Sequence, residues 1–230
     1  MAYYVTLGLG LIVATIFLFK RSQGANITNM VLKALSSVGY LFTAMVAIML
    51  NPDALNFGVL IFMGGVLGLI GDIVLDLKCI YLKEADQYLY SGFSFFLAGH
   101  VLYNIAIVMQ NNLKWQYVLA CVAVSVVIGA LTVATSKTMK IEFGKFKWIV
   151  LAYSSMLVLT SATSIVSAFL TGNKSMIVLA VGAVLFLLSD LVLSFTYFSK
   201  GWDKPVHIFV NHLLYYAAQY MIASSIMFIA

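Results

Sequence analysis

The sequence predicts an all-α fold: a polytopic membrane protein whose eight transmembrane helices form one domain over residues 1–230. Three observations predict it. Hydrophobic residues fill 63% of the 230 positions and charged residues only 9%, with a mean hydropathy of +1.04, so a water-soluble fold would lack the polar surface needed to cover itself. The apolar residues also gather into eight runs near the ~20 residues that cross a ~30 Å hydrocarbon core. Finally, Lys and Arg crowd into alternate connections, the asymmetry that orients a chain threaded through a bilayer.

Taken in order, the runs cover 3–19, 27–50, 57–77, 88–109, 115–135, 146–170, 175–198 and 206–229. The first differs from a signal peptide because its basic pair, Lys20 and Arg21, follows the apolar run and no small-residue cleavage site closes it. It reads as a helix. The connections are short and polar, punctuated by Asn51-Pro52, Gly144, Gly172-Asn173 and Gly201-Trp202-Asp203-Lys204-Pro205, and they leave no room for a soluble domain. Connections one, three, five and seven hold Lys20, Arg21, Lys78, Lys83, Lys137, Lys140, Lys145, Lys147, Lys200 and Lys204, whereas the even ones hold only Lys114 and Lys174. This places the odd connections in the cytoplasm and both termini outside, in a cell inner membrane. The basic residues are scattered and not clustered, which argues for membrane lipids as partners and against nucleic acid. Cys79 and Cys121 sit in different segments and suggest neither a disulfide framework nor a CxxC metal motif.

Two stretches, 71–104 and 189–219, carry ionisable and amide groups inside otherwise apolar helices. Such groups are expensive in lipid, roughly 3 kcal/mol for an Asp on the lenient insertion scales, and mark function by default. Counting a rise of ~1.5 Å per residue from the cytoplasmic helix ends puts Lys33 and Asp72 ~9 Å deep, His212 ~10 Å, Asp190 ~13 Å and His100 ~18 Å. Five polar residues in one half of the membrane predict a water-accessible cavity open to the cytoplasmic side. Spacings of three, four and seven give each helix one polar stripe: Lys33, Ser36, Ser37 and Tyr40 on the second, His100, Tyr103 and Asn104 on the fourth, and His212, Tyr215, Tyr216 and Gln219 on the eighth. Ser154, Ser161, Ser164 and Ser167 stripe the sixth, where serines also bond their own backbone or pack small against a neighbour. Lys33 can snorkel to the interface or pair with an aspartate. Asp76 lies near the cytoplasmic edge, His100 fits a structural histidine as well as a catalytic one, and His207, at a helix start, reads as interfacial. An internal echo also appears: Asp72-Ile73-Val74-Leu75 matches Asp190-Leu191-Val192-Leu193, and His100-Val101-Leu102-Tyr103 matches His212-Leu213-Leu214-Tyr215. It predicts two related four-helix halves, 1–110 and 115–230, about an axis along the membrane normal, with the two aspartates facing each other.

Gly71-Asp72, the His100-x-Leu102-Tyr103 element, Leu188-Ser189-Asp190-Leu191 and Tyr215-Tyr216-Ala217-Ala218-Gln219, set in eight helices, make the chain resemble the YhhN-like lysoplasmalogenase family over its whole length. Where the family pattern has Lys-Pro in the second helix this chain has Lys33-Ala34, and His212 does not match a family position. The resemblance implies hydrolysis of the vinyl ether bond of a lysoplasmalogen, a lysophospholipid, to a fatty aldehyde and glycerophosphoethanolamine or glycerophosphocholine. Protonating the β-carbon of a vinyl ether gives an oxocarbenium ion that water captures. The chemistry asks for one acid and one carboxylate, as in glycosidases that pass through a similar cation. Asp72 and Asp190 are the catalytic pair on this reading, with no cofactor and no metal. Lys33, Tyr40, Asp76, His100, Tyr103, Asn104, Ser189, Tyr215, Tyr216 and Gln219 are the residues expected to hold water and substrate.

Two other classes fit parts of the pattern. A transporter also carries charge at mid-depth, although the paired Gly/Pro interruptions of discontinuous transport helices are not legible here. A metal-dependent lipid hydrolase would draw ligands from Asp72, Asp190, His100 and His212, yet none of the three His forms an i, i+4 pair with another. Nothing resembles the Gly-x-Ser-x-Gly elbow of a serine esterase.

Overall fold

A computed structural model describes residues 1–229, and these contain helices and no strand. The helices are α1 (Ala2–Arg21), α2 (Ile27–Leu50), α3 (Leu55–Ile80), α4 (Ala85–Asn111), α5 (Trp115–Ala134), α6 (Lys147–Thr171), α7 (Lys174–Phe198) and α8 (Pro205–Ser225), with single 3-10 turns at Pro52–Ala54, Leu82–Glu84, Gly144–Phe146 and Ile226–Phe228. Seven of them are long and apolar enough to cross a membrane. The eighth, α8, has the length but carries His207, Asn211, His212 and Gln219, and it turns much of this polarity inward: Asn211, His212 and Gln219 are all buried.

Local chemistry sets the helix ends. Asn26 caps α2 by accepting from the Asn29 N–H at 2.8 Å, and Asn173 does the same for α7 through the Ser175 N–H at 2.9 Å. Pro205 opens α8 at a position where a missing N–H costs nothing. Gly172 ends α6 with φ +62°, a left-handed conformation that glycine adopts without strain. The sequence predicts a last helix running to 229, but α8 stops at Ser225 and a 3-10 turn follows. At this end Asn51 Nδ2 donates to the carbonyls of Ile226 (3.1 Å) and Ile229 (2.8 Å), oxygens that the end of a helix leaves without a partner of its own.

Consecutive helices are neighbours from α1 to α4 and again from α5 to α8. The two sets meet where α2, α1 and α3 touch α8 and where α4 touches α6. The tightest seam is α3 against α4. A Cβ on Gly64 would stand 2.9 Å from the Gly99 carbonyl, and one on Gly99 would stand 2.9 Å from the Gly64 carbonyl, so the two backbones touch directly. In contrast, α5 packs chiefly on α6 and leaves Val124, Val126, Val127 and Leu131 exposed, as suits a helix facing lipid. The connections after α1, α3, α5 and α7 all lie at one end of the bundle, called here the odd-loop end.

Candidate functional site

On α3, Asp72 and Asp76 lie four residues apart and so share a face; on α2, Lys33 and Ser37 do the same. These two faces meet. Lys33 Nζ lies 3.2 Å from Asp72 Oδ1 and 3.4 Å from Asp76 Oδ1, and Ser37 Oγ donates to Asp72 Oδ2 at 2.6 Å. Arg21, at the end of α1, continues the series with NH2 3.3 Å from Asp76 Oδ1. Arg21, Asp76, Lys33 and Asp72 thus form a ladder of alternating charge across α1, α2 and α3, with all four residues buried. Its net charge is zero, which is the condition for keeping ions out of water at tolerable cost.

The α8 face completes the surroundings of Asp72. Tyr215 donates to Asp72 Oδ2 at 2.7 Å, Gln219 Nε2 donates to Tyr215 at 3.2 Å, and Tyr103 on α4 donates to Gln219 Oε1 at 3.2 Å. A chain of donors therefore runs from α4 through α8 to the Asp72 carboxylate. Tyr216 donates to the Lys33 carbonyl at 2.9 Å and ties α8 to α2, and Tyr40 donates to the Gly65 carbonyl at 3.0 Å. Asp190 has a much sparser environment. Tyr153 on α6 donates to its Oδ2, and no Lys, Arg or His among the described residues pairs with it. Beside it, Ser189 and Asn211 are locked together, with Ser189 Oγ donating to the Asn211 carbonyl at 3.0 Å and Asn211 Nδ2 to the Ser189 carbonyl at 2.8 Å.

Asp72 and Asp190 line the same cavity, of about 30 Å³, together with Lys33, Tyr153, Ser189 and Tyr215. That volume accommodates a water molecule, and the polar partners such a water needs are present. Two larger spaces adjoin it. A vestibule of about 220 Å³ at the odd-loop end shares Leu193, Tyr197, Asn211 and His212 with it. A groove of about 240 Å³ between α5, α6 and α7 shares Phe93, Tyr153 and Asp190.

Of the residues expected at the site, Lys33, Asp72, Ser189, Asp190 and Tyr215 form the cavity wall. Tyr40, Asp76, Tyr103, Tyr216 and Gln219 do not line it; they stand behind it and hold those residues in place. His100 and Asn104 are elsewhere, in a buried network with α6. His100 Nδ1 lies 3.0 Å from Thr160 Oγ1, Asn104 Nδ2 donates to Thr160 Oγ1 at 2.7 Å, and Thr163 donates to Asn104 Oδ1 at 2.9 Å. The polar stripe on α4 is therefore largely a helix–helix seam, and only Tyr103 reaches toward the site. Conversely, His212 does line the cavity. Its Nδ1 lies 2.7 Å from the Ile208 carbonyl, which can only accept, so Nδ1 carries a hydrogen. Among the serines of α6, Ser161 and Ser164 bond backbone carbonyls, and Ser154 lines the groove.

The sequence reading left out Tyr153, Asn211 and the pairing of Arg21. Tyr153 stands eight and eleven residues before Ser161 and Ser164, on one helix face, and that spacing is the signal that points to it. Arg21 gave no such signal, because its partner lies 55 residues away in sequence. Among the described residues, no three His, Cys, Asp or Glu side chains converge as a metal site would need.

The model of the YhhN family matches residues 28–226. Neither a curated protein nor a solved structure matches the chain.

Proposed function

The chain belongs to the YhhN family, and from that premise we propose that it is a lysoplasmalogenase, hydrolysing the vinyl ether bond of a lysoplasmalogen to a fatty aldehyde and glycerophosphoethanolamine or glycerophosphocholine. The observation that carries the reading is the contrast between two carboxyl groups on one water-sized cavity. Asp72 has a lysine and two hydroxyl donors and is the anion. Asp190, without a cation and with one phenol donor, carries the transferable proton.

The reaction then runs as follows. Asp190 gives its proton to the β-carbon of the vinyl ether, and positive charge develops at the carbon bearing oxygen. The fixed Asp72 carboxylate, with Lys33 and Tyr215 holding its orientation, stabilises that charge without having to reorganise. Water adds to the cation and passes a proton to the Asp190 carboxylate, which restores the acid. The resulting hemiacetal collapses to the aldehyde and the glycerol hydroxyl. The site opens toward the odd-loop end, which on the lysine distribution is cytoplasmic.

The test is incubation of purified protein with an alkenyl lysolipid and its acyl counterpart in deuterated water. Aldehyde should form from the first alone and carry deuterium at the carbon next to the carbonyl, in incubations short enough that pre-formed aldehyde stays unlabelled. Unlabelled aldehyde, or equally fast release of fatty acid from the acyl lipid, would overturn the reading.

A further inference from the structure

The vestibule and the groove lie against different parts of the central cavity, and their chemistries are opposite. Arg21 and Lys78 line the vestibule, with Asp203 in the same wall. Arg21 is only 9% exposed, and its Nε is buried with no partner although one of its terminal nitrogens binds Asp76. An unpaired guanidinium N–H in so buried a place calls for an acceptor. Lys78 has no carboxylate partner among the described residues, and its Nζ sits 3.1 Å from the centre of the Tyr197 ring. Two cations with unused donors at the mouth of a cavity suit an anion of phosphate type.

The groove holds the other half of a lipid. Its wall is Ile128 on α5, Leu157 and Val158 on α6, and Leu187, Leu188 and Leu191 on α7, with Asp190 and Tyr153 at its inner side. Ile128, Leu188 and Leu191 are exposed on the lipid-facing surface, so the groove opens sideways into the bilayer. Its volume of about 240 Å³ exceeds the ~150 Å³ of a dry apolar cavity that takes up benzene.

We propose that Arg21 and Lys78 form the phosphate-binding site for a single-chain phospholipid whose hydrocarbon chain enters through the groove between α5, α6 and α7, so that the bond between chain and glycerol lies beside Asp190 and Asp72. This pose rests on the lysoplasmalogenase reading for the identity of the lipid. Asp203 in the vestibule wall complements the ammonium end of a zwitterionic head group. One groove takes one chain, which suits the lyso form.

The experiment measures binding without catalysis, using a saturated 1-O-alkyl lysophosphatidylethanolamine, which has no double bond to protonate, and 1-O-alkylglycerol, which has the same chain but no phosphate. K78Q and R21Q should each weaken binding of the lysolipid by about tenfold, the scale of one charge-assisted contact, and leave alkylglycerol unchanged. Lys78 has no ion-pair partner to orphan, so K78Q stays informative if R21Q misfolds. L191W, at the groove rim, should lose a long-chain analogue while keeping a short-chain one. Unchanged lysolipid affinity in a folded K78Q, or unchanged long-chain binding in L191W, overturns the proposal. Inorganic phosphate that binds as tightly as the lysolipid would assign the vestibule to the free anion and overturn it as well. These outcomes are separate from the aldehyde assay: a protein that releases aldehyde but ignores both substitutions keeps the activity and loses the pose, and one that binds as expected without releasing aldehyde does the reverse.

Discussion

Replacing Lys33 with Met tests the charge ladder on which the site is built. Lys33 Nζ stands 3.2 Å from Asp72 and 3.4 Å from Asp76, and at an effective dielectric of about 20 one such contact carries roughly 5 kcal/mol of Coulomb energy. Much of that offsets the cost of burying the ions. What a single substitution exposes is the charge left behind, typically about 3–5 kcal/mol for a buried pair broken on one side. In K33M, Asp76 still has Arg21, whereas Asp72 keeps only the Ser37 and Tyr215 hydroxyls, so the loss concentrates on Asp72. We therefore expect K33M to lower stability by about 3–5 kcal/mol, and D72N to cost much less in the K33M background than alone, with a coupling of about 2 kcal/mol. Reversible unfolding in mixed micelles titrated with a denaturing detergent reads all four corners of the cycle. A K33M loss below about 1 kcal/mol, or additivity within about 0.5 kcal/mol, would refute the ladder as a structural unit.

Three further outcomes follow from the same geometry. D72N and D190N should each abolish aldehyde release while the protein still inserts and folds, a loss of at least about 10²; activity within tenfold of wild type in both sinks the two-carboxylate mechanism. G99A should destabilise by about 1–3 kcal/mol, because its new Cβ meets the Gly64 backbone oxygen at 2.9 Å and a carbonyl cannot swing away as a side chain does; wild-type stability in G99A would show that α3 and α4 separate freely. A cysteine at position 140, in a chain with Cys79 and Cys121 replaced by Ser, should react with an impermeant thiol reagent from the cytoplasmic face alone, and labelling from outside would reverse the orientation.

The eight helices are legible in the sequence because hydrocarbon thickness imposes a length on each apolar run. That signal is local. The pair Asp72 and Asp190 was equally visible, since a carboxylate in an apolar run is conspicuous whatever surrounds it. The second layer was harder. A polar stripe on a helix says that the face meets something polar, but the hydroxyls of a neighbouring helix serve as well as water does: Thr160 and Thr163 meet Asn104, and Thr160 meets His100 Nδ1, while His100 Nε2 is buried without a partner. Arg21 illustrates the opposite error. It reads as one more loop charge, yet it folds inward against Asp76. For Tyr153 the spacing from Ser161 and Ser164 is the only cue, and it says little until a carboxylate is seen opposite the ring.

The ladder also bears on how the chain enters the membrane. Alone in lipid, α2 brings an unpaired ammonium and α3 brings two carboxylates, each charge costing at most roughly 3 kcal/mol, the figure for mid-bilayer, and less toward the edge. Together they neutralise one another through Lys33, and Arg21 covers the remaining carboxylate. We therefore expect α2 and α3 to leave the translocon together, the earlier segment gaining by waiting at the lateral gate until its partner has been synthesised. In a glycosylation-reporter assay α2 should insert more efficiently when α3 follows it than when α3 carries D72L and D76L, and equal efficiency in the two would show that each helix partitions on its own.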